Sequence, residues 1–125
     1  MRENTAAHDG GGLNLNYGGL ARNCMFSNNQ ALVGGGVFCY ADGTVTNCVF
    51  VDNSAETWAG GFGSYSGSIL VASTILNSRC YGYGGGAAVW GATGFADRTL
   101  FTGNFASNGG GGIYIEDGGL LNSTF

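Results

Sequence analysis

The sequence predicts an all-β solenoid of parallel strands forming a single domain over residues 1–125, and three observations carry that prediction. Glycine supplies 26 of the 125 residues and proline none, a density of glycine that weakens every helix. Apolar residues make up 44% and aromatic residues 13%, which is enough for a core and argues against disorder, while the missing proline rules out collagen. The chain also repeats itself about every 25 residues, the mark of stacked like units.

The elements follow from that period. Phe26, Phe50, Leu76, Phe101 and Phe125 mark one phase, with Met1 one interval earlier. Three residues later stand Asn4, Asn29, Asn53, Arg79 and Asn104, and two beyond those Ala6, Ala31, Ala55, Tyr81 and Ala106. Glycine clusters follow at Gly10, Gly34, Gly60, Gly84 and Gly109, each leading into a short apolar strand: 13–17, 37–40, 62–65, 87–90 and 113–115. Turn residues come next, at Gly18-Gly19, Asp42-Gly43, Ser66-Gly67, Gly91 and Asp117-Gly118. A closing pair of short strands passes through Leu20, Val45, Val71, Phe95 and Leu120. Each unit thus reads as about three strands and three bends, giving five coils over 1–25, 26–49, 50–75, 76–100 and 101–125. A unit this small cannot bury its own apolar face, whereas a stack shares one core.

Phe26-Ser27-Asn28-Asn29, Phe50-Val51-Asp52-Asn53 and Phe101-Thr102-Gly103-Asn104 resemble the FxxN half of the repeat in chlamydial polymorphic outer membrane proteins. Gly35-Gly36-Val37 and Gly111-Gly112-Ile113 are similar to its GGA[ILV] half, with the Ala position missing or replaced. The resemblance implies a right-handed parallel β-helix of the kind found in surface-exposed repeat proteins. The coil beginning at Leu76 departs from it, with Leu76 and Arg79 where Phe and Asn are expected.

Alternation along the glycine-led strands puts Leu13, Val37, Phe62, Ala87 and Ile113 inside, together with Leu15, Cys39, Ser64, Val89 and Ile115. Small members of these rows are expected to offset the large ring of the Phe phase. Asn4, Asn29, Asn53 and Asn104 form one expected structural row, since asparagine tolerates left-handed bends and passes amide hydrogen bonds to the next coil. Asn23, Asn47 and Asn122 form a second row, broken by Ser73 and Arg98; Asn122-Ser123-Thr124 also fits a glycosylation sequon.

Cys24 and Cys48 share a phase, so stacked coils would bring them within reach of a disulfide; the competing reading is of small buried residues, matched by Thr74, Thr99 and Ser123. Cys39 and Cys80 have no phase partner, and with His8 the only histidine and no CxxC spacing, neither a metal nor a cofactor is expected. Outward positions are richer. Phe38, Tyr40, Tyr65, Trp90 and Tyr114, flanked by Tyr17, Asn14 and Asn16, should project from one face as a ligand-binding or assembly surface. Met25, Val49, Ile75, Leu100 and Thr124 form a second outward row.

Four arginines and no lysine exclude nucleic acid as a partner, and no apolar run approaches a membrane span. The eight acids mostly sit singly in bends; only Glu116-Asp117 adjoin, with Asp9, His8 and Glu3 a weaker cluster, too few convergent groups for catalysis. The glycine runs lack a P-loop lysine, the calcium-binding nonapeptide lacks its Asp after Gly63, and Thr44-Val45-Thr46 is the sole Thr-x-Thr for an ice-binding row. These observations point to a structural, extracellular or cell-surface solenoid. Its bare terminal coils suggest end-to-end stacking of copies into a homo-oligomer or fibre, the competing reading being a segment cut from a longer solenoid. The alternative is an adhesin module that stacks glycan rings on Tyr40, Tyr65 and Trp90, and a polysaccharide-active enzyme is more remote.

Overall fold

The chain turns four corners in every coil because a left-handed residue recurs four times, in columns at coil spacing. One column is Asn28, Asp52, Asn77 and Gly103; a second is Gly34, Ala59, Gly84 and Gly110; a third is Gly18, Asp42, Gly67, Gly91 and Asp117; the fourth is Asn23, Asn47, Ala72, Arg98 and Asn122. A positive φ is uphill for most L-residues and mild for Gly, Asn and Asp, which dominate these columns. Four bends separate four strands, one more of each per coil than the periodicity suggests. In the computed structural model, which describes residues 1–91 and 93–125, the strands stack into four parallel sheets and no helix is present among the described residues.

The first sheet stacks Leu13–Leu15, Val37–Ala41, Phe62–Ser66, Ala87–Trp90 and Ile113–Glu116, and the second stacks Leu20–Arg22, Thr44–Thr46, Ile69–Val71, Phe95–Asp97 and Gly119–Leu121. The third holds Met25–Ser27, Val49–Val51, Thr74–Leu76 and Leu100–Thr102, and the fourth Gln30–Val33, Ser54–Trp58, Arg79–Cys80 and Phe105–Ala106. The architecture is therefore a parallel β-solenoid, with about four turns rather than five: two sheets have five strands and two have four.

Register corrects the reading of the coil after Phe50. Ile75, not Leu76, pairs with Phe50 and Phe101, so Ile75 occupies the Phe phase and is fully buried. Ser78 accordingly takes the place in the asparagine column that was assigned to Arg79, and Cys80, not Tyr81, pairs with Ala55 and Ala106. Thr74 joins Met25, Val49, Leu100 and Thr124 in the outward row where Ile75 was expected. In the second sheet the inward row is Ala21, Val45, Leu70, Ala96 and Leu120, so Leu20, Val71 and Phe95 do not belong to it.

The core is a column of rings with compensating neighbours. Phe26 stacks on Phe50 with centroids 5.1 Å apart, and Phe101 stacks on Phe125 at the same separation. Between these pairs Ile75 leaves space, and the same coil supplies Phe62 and Leu70 from facing walls; coils with a Phe ring have Val37 and Val45, or Ala87 and Ala96, there. The coil that lacks the ring thus places larger side chains on its facing walls, as close packing demands. Each fully buried Phe contributes roughly 1.5–3 kcal/mol.

The glycine pair after the second bend column has its own cause. A Cβ on Gly35 would lie 2.4 Å from the Gly60 carbonyl oxygen, and one on Gly36 would meet the Phe50 ring at 2.7 Å. Here the backbone sinks against the core and the neighbouring coil, and Gly34 to Gly36, Ala59 to Gly61 and Gly84 to Gly86 are all buried.

Candidate functional site

That sunken bend creates a groove. The fourth sheet ends on one side of it and the first sheet begins on the other, and the outward side chains of both rise above the glycines. Val33, Trp58 and Tyr83, paired coil to coil, form one rim. Phe38, Trp90 and Tyr114 come from the opposite wall. The rings meet across the gap: Trp58 contacts Trp90 edge to face at 5.0 Å and lies 5.9 Å from Tyr114, while Tyr83 lies 5.0 Å from Tyr114.

Trp58 and Tyr83 were not among the expected face residues. Each stands directly before a glycine bend, at Trp58-Ala59-Gly60-Gly61 and Tyr83-Gly84-Gly85-Gly86, and that position is the signal that could have found them. Phe38 needs the opposite correction. It points away from the core, as alternation requires, but its ring leans over Gly63, where a Cβ would meet it at 3.0 Å, and it is only 6% exposed. It is the floor of the groove.

The remaining tyrosines form a separate stack. Tyr40 lies on Tyr65 at 5.3 Å with an interplanar angle of 11°, and Tyr17, 85% exposed, meets Tyr40 edge-on at 5.7 Å. Rings stacked this way cover each other's faces and show their edges outward, so the row is not a continuous flat platform. Tyr40, Tyr65, Trp90 and Glu116 lie along one outward row, but Trp90 turns towards Trp58 instead of continuing the stack. The side of Tyr65 away from Tyr40 borders a cleft of about 400 Å³ lined by Tyr65, Ser66, Trp90, Gly91, Glu116 and Asp117. The Tyr114 hydroxyl donates to Glu116 Oε2 at 3.4 Å, and its ionisation is pushed up by partial desolvation first and the Glu116 charge second.

The asparagine rows separate by environment. Asn29 and Asn53 are buried, and Asn53 Oδ1 accepts from both the Asn29 backbone N–H at 3.0 Å and its Nδ2 at 3.1 Å. Asn4 donates to Asn29 Oδ1 in the same manner, and Asn104 Oδ1 accepts the Ser78 N–H at 2.9 Å. Asn23, Asn47 and Asn122 stand exposed at a bend, with Ala72, not Ser73, completing their column beside Arg98. Asn47 donates to Asn23, and Asn122 to Asp97.

Cys24 and Cys48 are free thiols and form no disulfide, and Cys39 and Cys80 are free as well. The Sγ of each lies within hydrogen-bond distance of a carbonyl two residues earlier, Arg22 for Cys24 and Thr46 for Cys48, and the two thiols interact with each other without a bond between them. Ser73 and Thr99 make the same back-bond at this phase, so Ser73, not Thr74, is the counterpart. Burial raises the Cys39 thiol to about 12 and pushes Cys48 and Cys80 up. Among the described residues no group of three or more His, Cys, Asp and Glu side chains could hold a metal ion.

Residues 98–116, which carry Phe101-Thr102-Gly103-Asn104 and Gly111-Gly112-Ile113, match the Chlamydia polymorphic membrane protein repeat. No curated protein and no solved structure matches the chain. The chain is thus a parallel β-solenoid that resembles this repeat in sequence.

Proposed function

We propose that the chain is a non-catalytic, surface-displayed solenoid module that binds a neutral glycan in the cleft between Tyr65 and Trp90. The matched repeat, named for a membrane protein, supports a location at the cell surface. One observation carries the binding reading: the ring of Tyr65, stacked on Tyr40 from one side only, faces a cleft whose opposite end holds the carboxylates of Glu116 and Asp117. A pyranose ring offers an apolar face for the tyrosine and hydroxyl donors for the carboxylates. Two acids in a chain of net charge -4, with no cation lining the cleft, disfavour uronic or sulfated sugars. Glycoside cleavage needs two carboxyl groups that flank the scissile bond, whereas Glu116 and Asp117 are consecutive residues of one bend, which supports binding without turnover.

Calorimetry of the purified chain against neutral, amino and acidic oligosaccharides tests the reading. A neutral oligosaccharide should bind, with at least about a tenfold loss in Trp90→Ala, equivalent to about 1.4 kcal/mol. No binding to any neutral sugar, preferred binding of acidic ones, or turnover that vanishes in Glu116→Gln would overturn it.

A further inference from the structure

Beside the sugar-facing cleft the groove holds a second one of about 270 Å³, lined by Val33, Phe38, Trp58, Tyr65 and Trp90. It is nearly all ring. Phe38 leans over Gly63 as its floor, and Trp58 and Trp90 stand at 75° to one another. Tyr83 stacks on one side of Trp58 at 4.9 Å, which leaves the other side to the cleft. Aliphatic side chains would serve an uncharged apolar ligand as well; aromatic walls add the negative potential of their faces.

Charge and hydrogen-bonding capacity narrow the ligand. Glu116 and Asp117 line the adjoining cleft, which shares Tyr65 and Trp90, whereas Arg2, Arg22, Arg79 and Arg98 line neither. The field therefore favours a cation. A primary ammonium brings three N–H donors, and the carboxylates that could accept them lie outside this cleft. A quaternary ammonium has no donors to leave unpaired, and its alkyl groups suit an apolar lining. The neighbouring carboxylates also disfavour a cation that carries a phosphate.

We propose that this second cleft binds a free quaternary ammonium group of the choline type, in an aromatic cage formed by Phe38, Trp58, Tyr65 and Trp90. The site goes beyond the glycan reading and does not depend on it, since Trp58 and Phe38 line this cleft and not the sugar-facing one. The test is calorimetric titration of the full chain with choline, with ethanolamine, and with 3,3-dimethylbutan-1-ol, the uncharged isostere of choline. Choline should bind at least about tenfold more tightly than either comparator. Trp58→Ala should abolish binding while keeping the circular dichroism of the parent, and Trp58→Phe should retain part of it. Equal binding of the isostere would reduce the cleft to an apolar pocket and overturn the proposal, as would absence of choline binding. Co-sedimentation with phosphatidylcholine vesicles, without binding of free choline, would assign the groove to a lipid surface and overturn it too.

Discussion

The buried and the exposed asparagine columns share one residue type and nearly the same spacing, yet different physics selects them. In the buried column the side chain is the point: Asn53 closes three hydrogen bonds, two from Asn29 and one to the Phe26 carbonyl at 2.9 Å, and each serves a group that water cannot reach. In the exposed column the backbone is the point. Asn23 and Asn47 hold φ of 57° and 51°, and the column continues through Ala72 and Arg98, which keep the left-handed bend without any amide. A repeated residue type therefore identifies a role only together with its burial.

The largest expected effect tests that distinction directly. Asn53→Ala strands the Asn29 backbone N–H, leaves its Nδ2 with only the Met1 carbonyl and takes a donor from the Phe26 carbonyl, and should destabilise the fold by about 3 kcal/mol in urea unfolding. Asn47→Ala gives up one exposed bond and keeps a bend that alanine tolerates at Ala72, and should cost about 1 kcal/mol. Equal losses would erase the contrast. Ala72→Gly sharpens it from the other side: relieving a φ of 48° should raise stability by a few tenths to about 1 kcal/mol, seen as a higher urea midpoint at unchanged slope. Ser64→Ala should be neutral to slightly stabilising, because its buried Oγ has no hydrogen-bond partner among the described residues.

The thiols repeat the comparison with no effect on stability at neutral pH. Cys24 is exposed while Cys39, Cys48 and Cys80 are buried, so a thiol reagent near pH 8 should label Cys24 alone until the chain unfolds. Burial lifts Cys39 from 9.0 to about 12, so between those values the unfolded chain holds the thiolate while the folded chain keeps the proton. The stability that this thiol permits is complete below pH 9.0 and declines as the pH rises towards 12. Cys39→Ala should flatten that decline.

Much of this was legible beforehand for a physical reason. A buried ring in most coils, as at Phe26, Phe50 and Phe101, leaves a strong periodic trace, interrupted where Ile75 takes the ring's place. The slip at Ile75 came from two adjacent aliphatic residues, Ile75 and Leu76, in a coil whose neighbours are 25 and 26 residues away; only strand pairing separates them. The groove was half visible. Alternation gives the direction of Trp90 and Tyr114, but it is silent on how far a bend sinks, and the sinking joins Trp58 and Tyr83 to them and covers Phe38.

The constancy of the coil has a kinetic consequence. Every strand pairs with a partner about one coil away in sequence, so adding a coil closes a loop of the same length each time. Loop-closure entropy then does not grow as the chain lengthens. Ordering spreads like a zipper from whichever pair of coils forms first, each finished rung serving as the template for the next. The folding rate of such a chain is governed by its first contact between neighbouring coils, and a defect in a single rung, such as one at Asn53, acts as a stop in the zipper rather than as a weakness shared by the whole.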